Sequence, residues 1–292
     1  MSVSLPDQVR RFCAEVAGAA RWVRIDPGRL GGIDPGPEPV LDPARHYLEG
    51  TREEVAAYLL TLDAINFGSG WFPTLRKPSG LSGYYTISSA LAKRSRAEGP
   101  WPAEELRLID TPTVARTLGQ DPSHDLMKLY AEALRDLGRF LGDRTALQVV
   151  EGARGSAVAL AEELARGMPF FDDVGFWKRA QITPNDMALA GLAEFDDLDR
   201  LTIFADNLVP HVLRVDGVLV YEERLAAHVD SEEVLPPGDQ EREIRACAVH
   251  ACELIAGELG IPPRALDVML WNRGQERRYK SRPRHRTRTV YY

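Results

Sequence analysis

Apolar and polar positions follow a helical period along most of this chain. Val9, Phe12, Cys13 and Val16 fall three to four positions apart, which places them on one helix face. The stretch from Asp26 to Pro39 is rich in Pro and Gly, has no period and reads as loop. Thr51-Arg52-Glu53-Glu54 has the form of a capping box, in which a Thr oxygen and a Glu carboxylate satisfy each other's free amides. Val55, Tyr58, Leu59 and Leu62 share a face behind it, predicting a helix over about 52–65. That run enters Asn66-Phe67-Gly68-Ser69-Gly70-Trp71-Phe72-Pro73, a glycine-punctuated aromatic loop whose rings have no periodic face to join.

Further helices are predicted at about 86–97, 103–108 and 123–141, the last with Leu126, Tyr130, Ala133, Leu137 and Phe140 on its stripe. Residues 145–166 are helical but interrupted by Gly152 and Gly155. Over 175–193 the pattern is helical again, and Pro184, which has no amide proton, predicts a break after Gln181-Ile182-Thr183. Val209 to Tyr221 reads either as a hairpin about Asp216-Gly217 or as a helix capped by Gly217. The helix is preferred, because a lone hairpin in a helical chain is marginal. Residues 239–259 form a long helix closed by Gly260, and Pro262-Pro263 open a last one through Trp271. The fold class is mainly α, with at most a minor β element.

Composition changes this picture little until charge is mapped. The 292 residues are 44% hydrophobic and 27% charged, the balance of a soluble globular protein. The net charge of −7 hides a division: residues 1–272 carry 28 bases and 42 acids, whereas 273–288 carry eight bases and one acid. An acidic body with a basic tail at 273–292 argues against bulk nucleic-acid binding by the body and concentrates anion attraction at one place. The expectation is a single helical unit over 1–292, divided if at all into two lobes meeting near residue 168. Three cysteines, Cys13, Cys247 and Cys252, give neither a disulfide framework nor a Cys-x-x-Cys metal site. No signal-peptide pattern and no long apolar run is present, so a cytoplasmic, untargeted protein without membrane association is expected.

No phosphate loop, dinucleotide fingerprint, zinc spacing or nucleophile elbow occurs, and the six histidines are scattered. Neither a metal nor an organic cofactor is expected. Two dense segments remain. Trp177-Lys178-Arg179-Ala180-Gln181-Ile182 sets two cations and an amide among apolar residues, and Phe204-Ala205-Asp206-Asn207-Leu208-Val209-Pro210 embeds one carboxylate in apolar surroundings. A partly desolvated Asp206 is a stronger base and a stronger stabiliser of positive charge; equally, it is suited to cap a helix over 207–215. Lys178 and Arg179 read as surface charges or as partners of a buried acid.

Several words occurring in one order carry a resemblance: Asn66-Phe67 with its aromatic loop, Thr86-Ile87-Ser88-Ser89-Ala90-Leu91, Lys178-Arg179-Ala180-Gln181-Ile182, Phe204-Ala205-Asp206 with Pro210, Glu243-Ile244-Arg245, and Tyr291-Tyr292. Together they resemble the queuosine salvage protein family, the queuosine 5′-phosphate N-glycosylases, from about residue 50 onward. The resemblance implies a fold like that of helical DNA glycosylases and hydrolysis of queuosine 5′-monophosphate to queuine and ribose 5-phosphate. Such hydrolysis passes through an oxocarbenium-like sugar and needs a negative group beside C1′ and a positioned water.

By that resemblance Asp206 stabilises the sugar cation and orients or activates water, with Lys178 as its nearby cation. His46, Asn66, Phe67, Trp71, Phe72, Gln181 and Asn207 are the implied substrate contacts, the rings as stacking surfaces for the base. The 5′-phosphate is expected near the tail, at Arg277, Arg278, Tyr279 and Lys280. The expected partner is a small nucleotide bound by a monomer, with no stable nucleic-acid complex. Two rivals remain: a tRNA-binding module that uses the tail, with steep salt dependence, and a base-excision enzyme acting on DNA.

Overall fold

A computed structural model describes residues 3–34, 36–37 and 40–292. Three residues of the predicted 26–39 loop, Pro35, Glu38 and Pro39, lie outside the described residues. In chain order the α-helices are α1 (Leu5–Gly18), α2 (Arg52–Ala64), α3 (Gly83–Glu98), α4 (Ala103–Leu108), α5 (Thr111–Thr117), α6 (Asp125–Leu141) and α7 (Ala146–Gly152). They continue as α8 (Ala157–Gly167), α9 (Lys178–Leu189), α10 (Leu208–Val215), α11 (Glu223–Asp230), α12 (Asp239–Leu259), α13 (Pro263–Arg273) and α14 (Arg277–Lys280). Two short strands, β1 (Val23–Ile25) and β2 (Leu219–Tyr221), pair antiparallel with Val23 opposite Tyr221. The protein is mainly α, as its periodicity predicts.

Local signals account for most boundaries. Thr51 Oγ1 accepts the Glu54 amide and Glu54 accepts the Thr51 amide, so the predicted capping box starts α2. Ser82 caps α3 at Tyr85, and Gly260 closes α12 in the left-handed conformation at φ 66°. Gly152 and Gly155 separate α7 from α8 as expected.

Pro184 corrects the prediction of two short helices, because α9 runs unbroken through it. The proline ring is buried within a helix that packs against α2 and α8, and Thr183 Oγ1 donates to the Arg179 carbonyl at 3.0 Å. Tertiary burial on both sides outweighs the loss of one amide donor. The helix preferred at Val209–Tyr221 is α10, turned by Gly217 at φ 81°, but its sequel is β2. That strand finds its partner in β1 near the other end of the chain, held to α12 where Glu243 accepts the amides of Arg21, Trp22 and Val23.

One contiguous apolar core takes residues from α1 through to Tyr279 on α14. The last residues fold back over it rather than hang free. Gly68 donates its amide to the Tyr292 carbonyl at 2.8 Å, and a Cβ at Gly70 would collide with the Thr287 backbone. Two buried arginines fasten the tail. Arg179 lies between the rings of Phe67 and Phe171, at 4.7 and 4.8 Å, and donates to the carbonyls of Ala64, Phe170 and Val290. Arg245 pairs with Asp173, donates to the Ala205 carbonyl at 3.0 Å and stacks on Phe176 and Tyr292.

Candidate active site

The glycine-rich aromatic loop, α3, α9, α10, α13 and the returning tail surround one cavity. Asp206 stands at the start of α10, half-buried, with Oδ1 accepting the amides of Leu208 at 2.7 Å and Val209 at 3.2 Å. Asp206 thus caps α10 through Oδ1 and also lines the cavity. Oδ1 is committed to the backbone, and among the described residues Oδ2 has no hydrogen-bond partner. A helix N-terminus also favours negative charge there.

Lys178, the first residue of α9, is buried on the same cavity, and its Nζ donates to the Asn66 carbonyl at 3.2 Å. Burial lowers its pKa, and the charges of Asp206, Asp63 and Asp267 oppose that fall. Lys178 thus meets Asp206 through space and not through a hydrogen bond.

Two further carboxyls line the cavity. Asp267, on α13, accepts the Phe204 amide at 2.8 Å on Oδ1; burial and then the charge of Asp206 push its pKa up to about 8. Asp186, on α9, is raised to about 7, also by burial, and Asp63 on α2 beside it is raised well above the carboxylate range by burial and by Asp186. At neutral pH Asp267 is largely a neutral acid that can donate a hydrogen bond, unlike a surface aspartate. Buried carboxyls with strongly raised pKa values in a cleft are a mark of functional sites.

The sequence-predicted residues divide between the cavity and its surroundings. Asp206, Lys178, His46, Asn66, Phe67, Phe72 and Asn207 all line it. His46 is set by the Asp42 carbonyl on Nδ1 and the Tyr84 hydroxyl on Nε2, each at 2.9 Å, and burial lowers its pKa, so its ring is neutral. Asn207 donates to the His285 carbonyl at 3.2 Å, tying the site to the tail.

Gln181 and Trp71 are not on the lining. The Gln181 carboxamide is spent on Thr202 and the Phe176 carbonyl, while Trp71 is buried beneath Arg288. Arg277 and Arg278 are not on that lining either: Arg278 pairs with Asp216, which the Tyr279 hydroxyl engages as well. Tyr279 and Lys280 line a neighbouring depression.

The pattern reading missed Asp267, Asp186, Tyr84, Tyr85, Trp271 and Arg284, all on the lining. Asp267 carried a usable signal, an acid between apolar neighbours, Leu266 and Val268, on a helix. Arg284 was lost among the other bases of the tail.

A helical fold that encloses carboxyls with raised pKa values and aromatic side chains in one concave cavity has the make-up of a small-molecule site. The particular family is the queuosine salvage proteins: the family model described as "Queuosine salvage protein" matches residues 45–292, and the chain belongs to that family. It is similar to the queuosine 5′-phosphate N-glycosylase/hydrolase of Sphaerobacter thermophilus, with 34% identity over 273 residues covering 85% of this chain and 84% of that one. Proteins of the same name from Dictyostelium discoideum and Bos taurus are 29% and 28% identical, covering 82% and 83% of this chain and 79% and 83% of their own lengths.

Proposed function

We propose that this protein is an N-glycosyl hydrolase acting on queuosine 5′-monophosphate, releasing queuine and ribose 5-phosphate. The reaction breaks the bond between C1′ and the base nitrogen and joins a water oxygen to C1′. Family membership and the relatives' shared name support the substrate. The observation that carries the mechanism is Asp206, held by two amides with its second oxygen directed to no protein partner.

As the glycosidic bond lengthens, positive charge develops on the sugar, and a carboxylate already fixed in a water-poor wall stabilises it without reorganising. The same oxygen orients the attacking water and accepts its proton. Queuine has carbon where ordinary purines have N7, so protonation there is not a route to leaving. The departing base must instead be stabilised at its other edge, and neutral Asp267 supplies a hydrogen-bond donor for it. Phe72 and Trp271 offer faces for the flat ring, and His46 with Tyr84 offers polar contacts to its side chain. Among the described residues no helix is long and apolar enough to cross a membrane. The three cysteines are free and buried, in keeping with a reducing compartment such as the cytoplasm.

The test is incubation with queuosine 5′-monophosphate, following free queuine, beside Asp206→Asn. Asparagine can still accept the cap amides through its Oδ1, so a fold defect is not expected. Release by the wild type and near-complete loss in the variant support the reading; full activity in the variant refutes Asp206 as the catalytic carboxylate.

A further inference from the structure

Asp63 on α2 and Asp186 on α9 stand beside one another where those two helices pack. Asp186 is on the cavity lining, whereas Asp63 is wholly buried and off it, and neither Asp63 oxygen has a hydrogen-bond partner. An ionised carboxylate only accepts hydrogen bonds, so a buried one depends on donors from its neighbours.

Those neighbours are Lys178, Arg179 and Thr183 on α9, Tyr58 on α2, Tyr84 on α3 and Asp267 on α13. Their hydrogens are committed elsewhere. Thr183 Oγ1 donates to the Arg179 carbonyl at 3.0 Å and the Tyr58 hydroxyl to the Ser88 carbonyl at 3.2 Å. His46 Nδ1 meets the Asp42 carbonyl, which only accepts, so Nδ1 carries the ring's proton and Nε2 accepts the Tyr84 hydroxyl. Arg179 gives its terminal nitrogens to backbone carbonyls, and Lys178 Nζ reaches the Asn66 carbonyl. Apart from Asn185 Nδ2, 3.4 Å from Asp186 Oδ1, the hydrogen that completes this pair is its own carboxyl proton.

Lys178 feels this pair as well as Asp206. Burial works against its charge, Asp206 sustains it, Arg179 opposes it, and Asp63 sustains it again. Asp267, with its pKa raised to about 8, adds little negative charge at pH 7. We propose that Asp63 and Asp186 share one proton and that the single negative charge they keep is the second counter-charge of Lys178, which makes Asp63 a positioning residue for the cation beside Asp206. Two full charges side by side would repel in a dry wall, and two neutral acids would leave Lys178 to Asp206 alone. The kinetic part of the test rests on the hydrolase reading above; the labelling and the infrared spectra do not.

The test titrates Lys178 by competitive acetylation read by mass spectrometry in the wild type, Asp63→Asn, Asp186→Asn and the double variant. Either single variant keeps one carboxylate, so its Lys178 pKa should fall by less than half as much as in the double variant, where the drop should be about one unit or more. A double-variant value unchanged from the wild type, or single variants that fall as far as the double, overturns the proposal. Activity gives a readout that a merely structural defect would not move. Relative to the wild type, kcat of the double variant on queuosine 5′-monophosphate should be depressed at pH 8 and recover at pH 6. Asp186, raised to about 7, takes up its own proton there, and the wild type loses the same counter-charge. A ratio constant with pH counts against the pair. If the double variant does not fold, infrared spectra of Asp267→Asn, which lacks the other neutral acid, still decide: one protonated carboxyl should persist at pH 8, and its absence overturns the sharing. Should the wild type hydrolyse nothing, the hydrolase reading fails while the labelling still judges the pair.

Discussion

Two sets of buried charges lie close together in this molecule and are built on opposite terms. Around the tail, Arg179 and Arg245 are almost wholly buried, yet carbonyls, aromatic faces and Asp173 engage their guanidiniums. For Arg245, burial works against the charge, but Asp173 and Glu241 outweigh it and hold the pKa above its ordinary value. Around the cavity, Asp63, Asp186, Asp206 and Asp267 outnumber Lys178 and Arg284, and burial raises three of the four carboxyls. The first set spends its donors on the chain, save Arg179 Nε, whereas the second leaves hydrogen-bonding capacity unspent at the cavity. Burial of a charge alone does not mark a functional site; burial with unmet partners does.

The comparison breaks most sharply at Arg245. Arg245→Met strands Asp173 in the core, and chemical denaturation should show a loss of about 3–5 kcal/mol. Activity per folded molecule should change far less than stability. Asp206→Asn should do the reverse, with turnover of queuosine 5′-monophosphate down about 10²–10³-fold and the melting temperature nearly unchanged.

Asp267→Asn sharpens the contrast through pH. With its folded pKa raised to about 8, Asp267 keeps its proton in the native state while the unfolded chain loses it above about pH 4. The native state then binds more protons than the unfolded one, so this group makes stability fall as pH rises from about 4 to about 8. Asn at this position removes the dependence. Denaturation midpoints at pH 5 and pH 8.5 should lie closer together in the variant, by on the order of 1–3 kcal/mol in stability. The smallest effect is expected at Thr51→Ala, which removes the α2 cap far from either set and should cost about 1 kcal/mol with no change in the pH profile of activity.

What was legible in the chain follows the range of the interaction concerned. The Thr51 capping box, the Gly260 stop and the helical stripes depend on residues within a few positions of one another, and they appear where the pattern puts them. Pro184 was misread because the packing that keeps α9 straight comes from α2 and α8. The β1–β2 pairing was invisible because its two strands are joined only in space. At the site, Asp206 and Lys178 were legible through the family's words, whereas the raised pKa of Asp267 comes from burial and from the charge of Asp206, against the amide of Phe204, which lies 63 residues away. Arg284 was hidden by composition: eight bases close together give no sign of which one turns inward.

The returning tail has a kinetic consequence. Asn207 meets His285 across 78 residues and Arg179 meets Val290 across 111, so one wall of the cavity is closed by loops that are entropically slow to form. A chain with its helices in place and its tail undocked would have much of its core and an open, water-filled cavity. In refolding, catalytic competence should therefore lag behind the recovery of helix, and the interval between them measures the docking of residues 284–292.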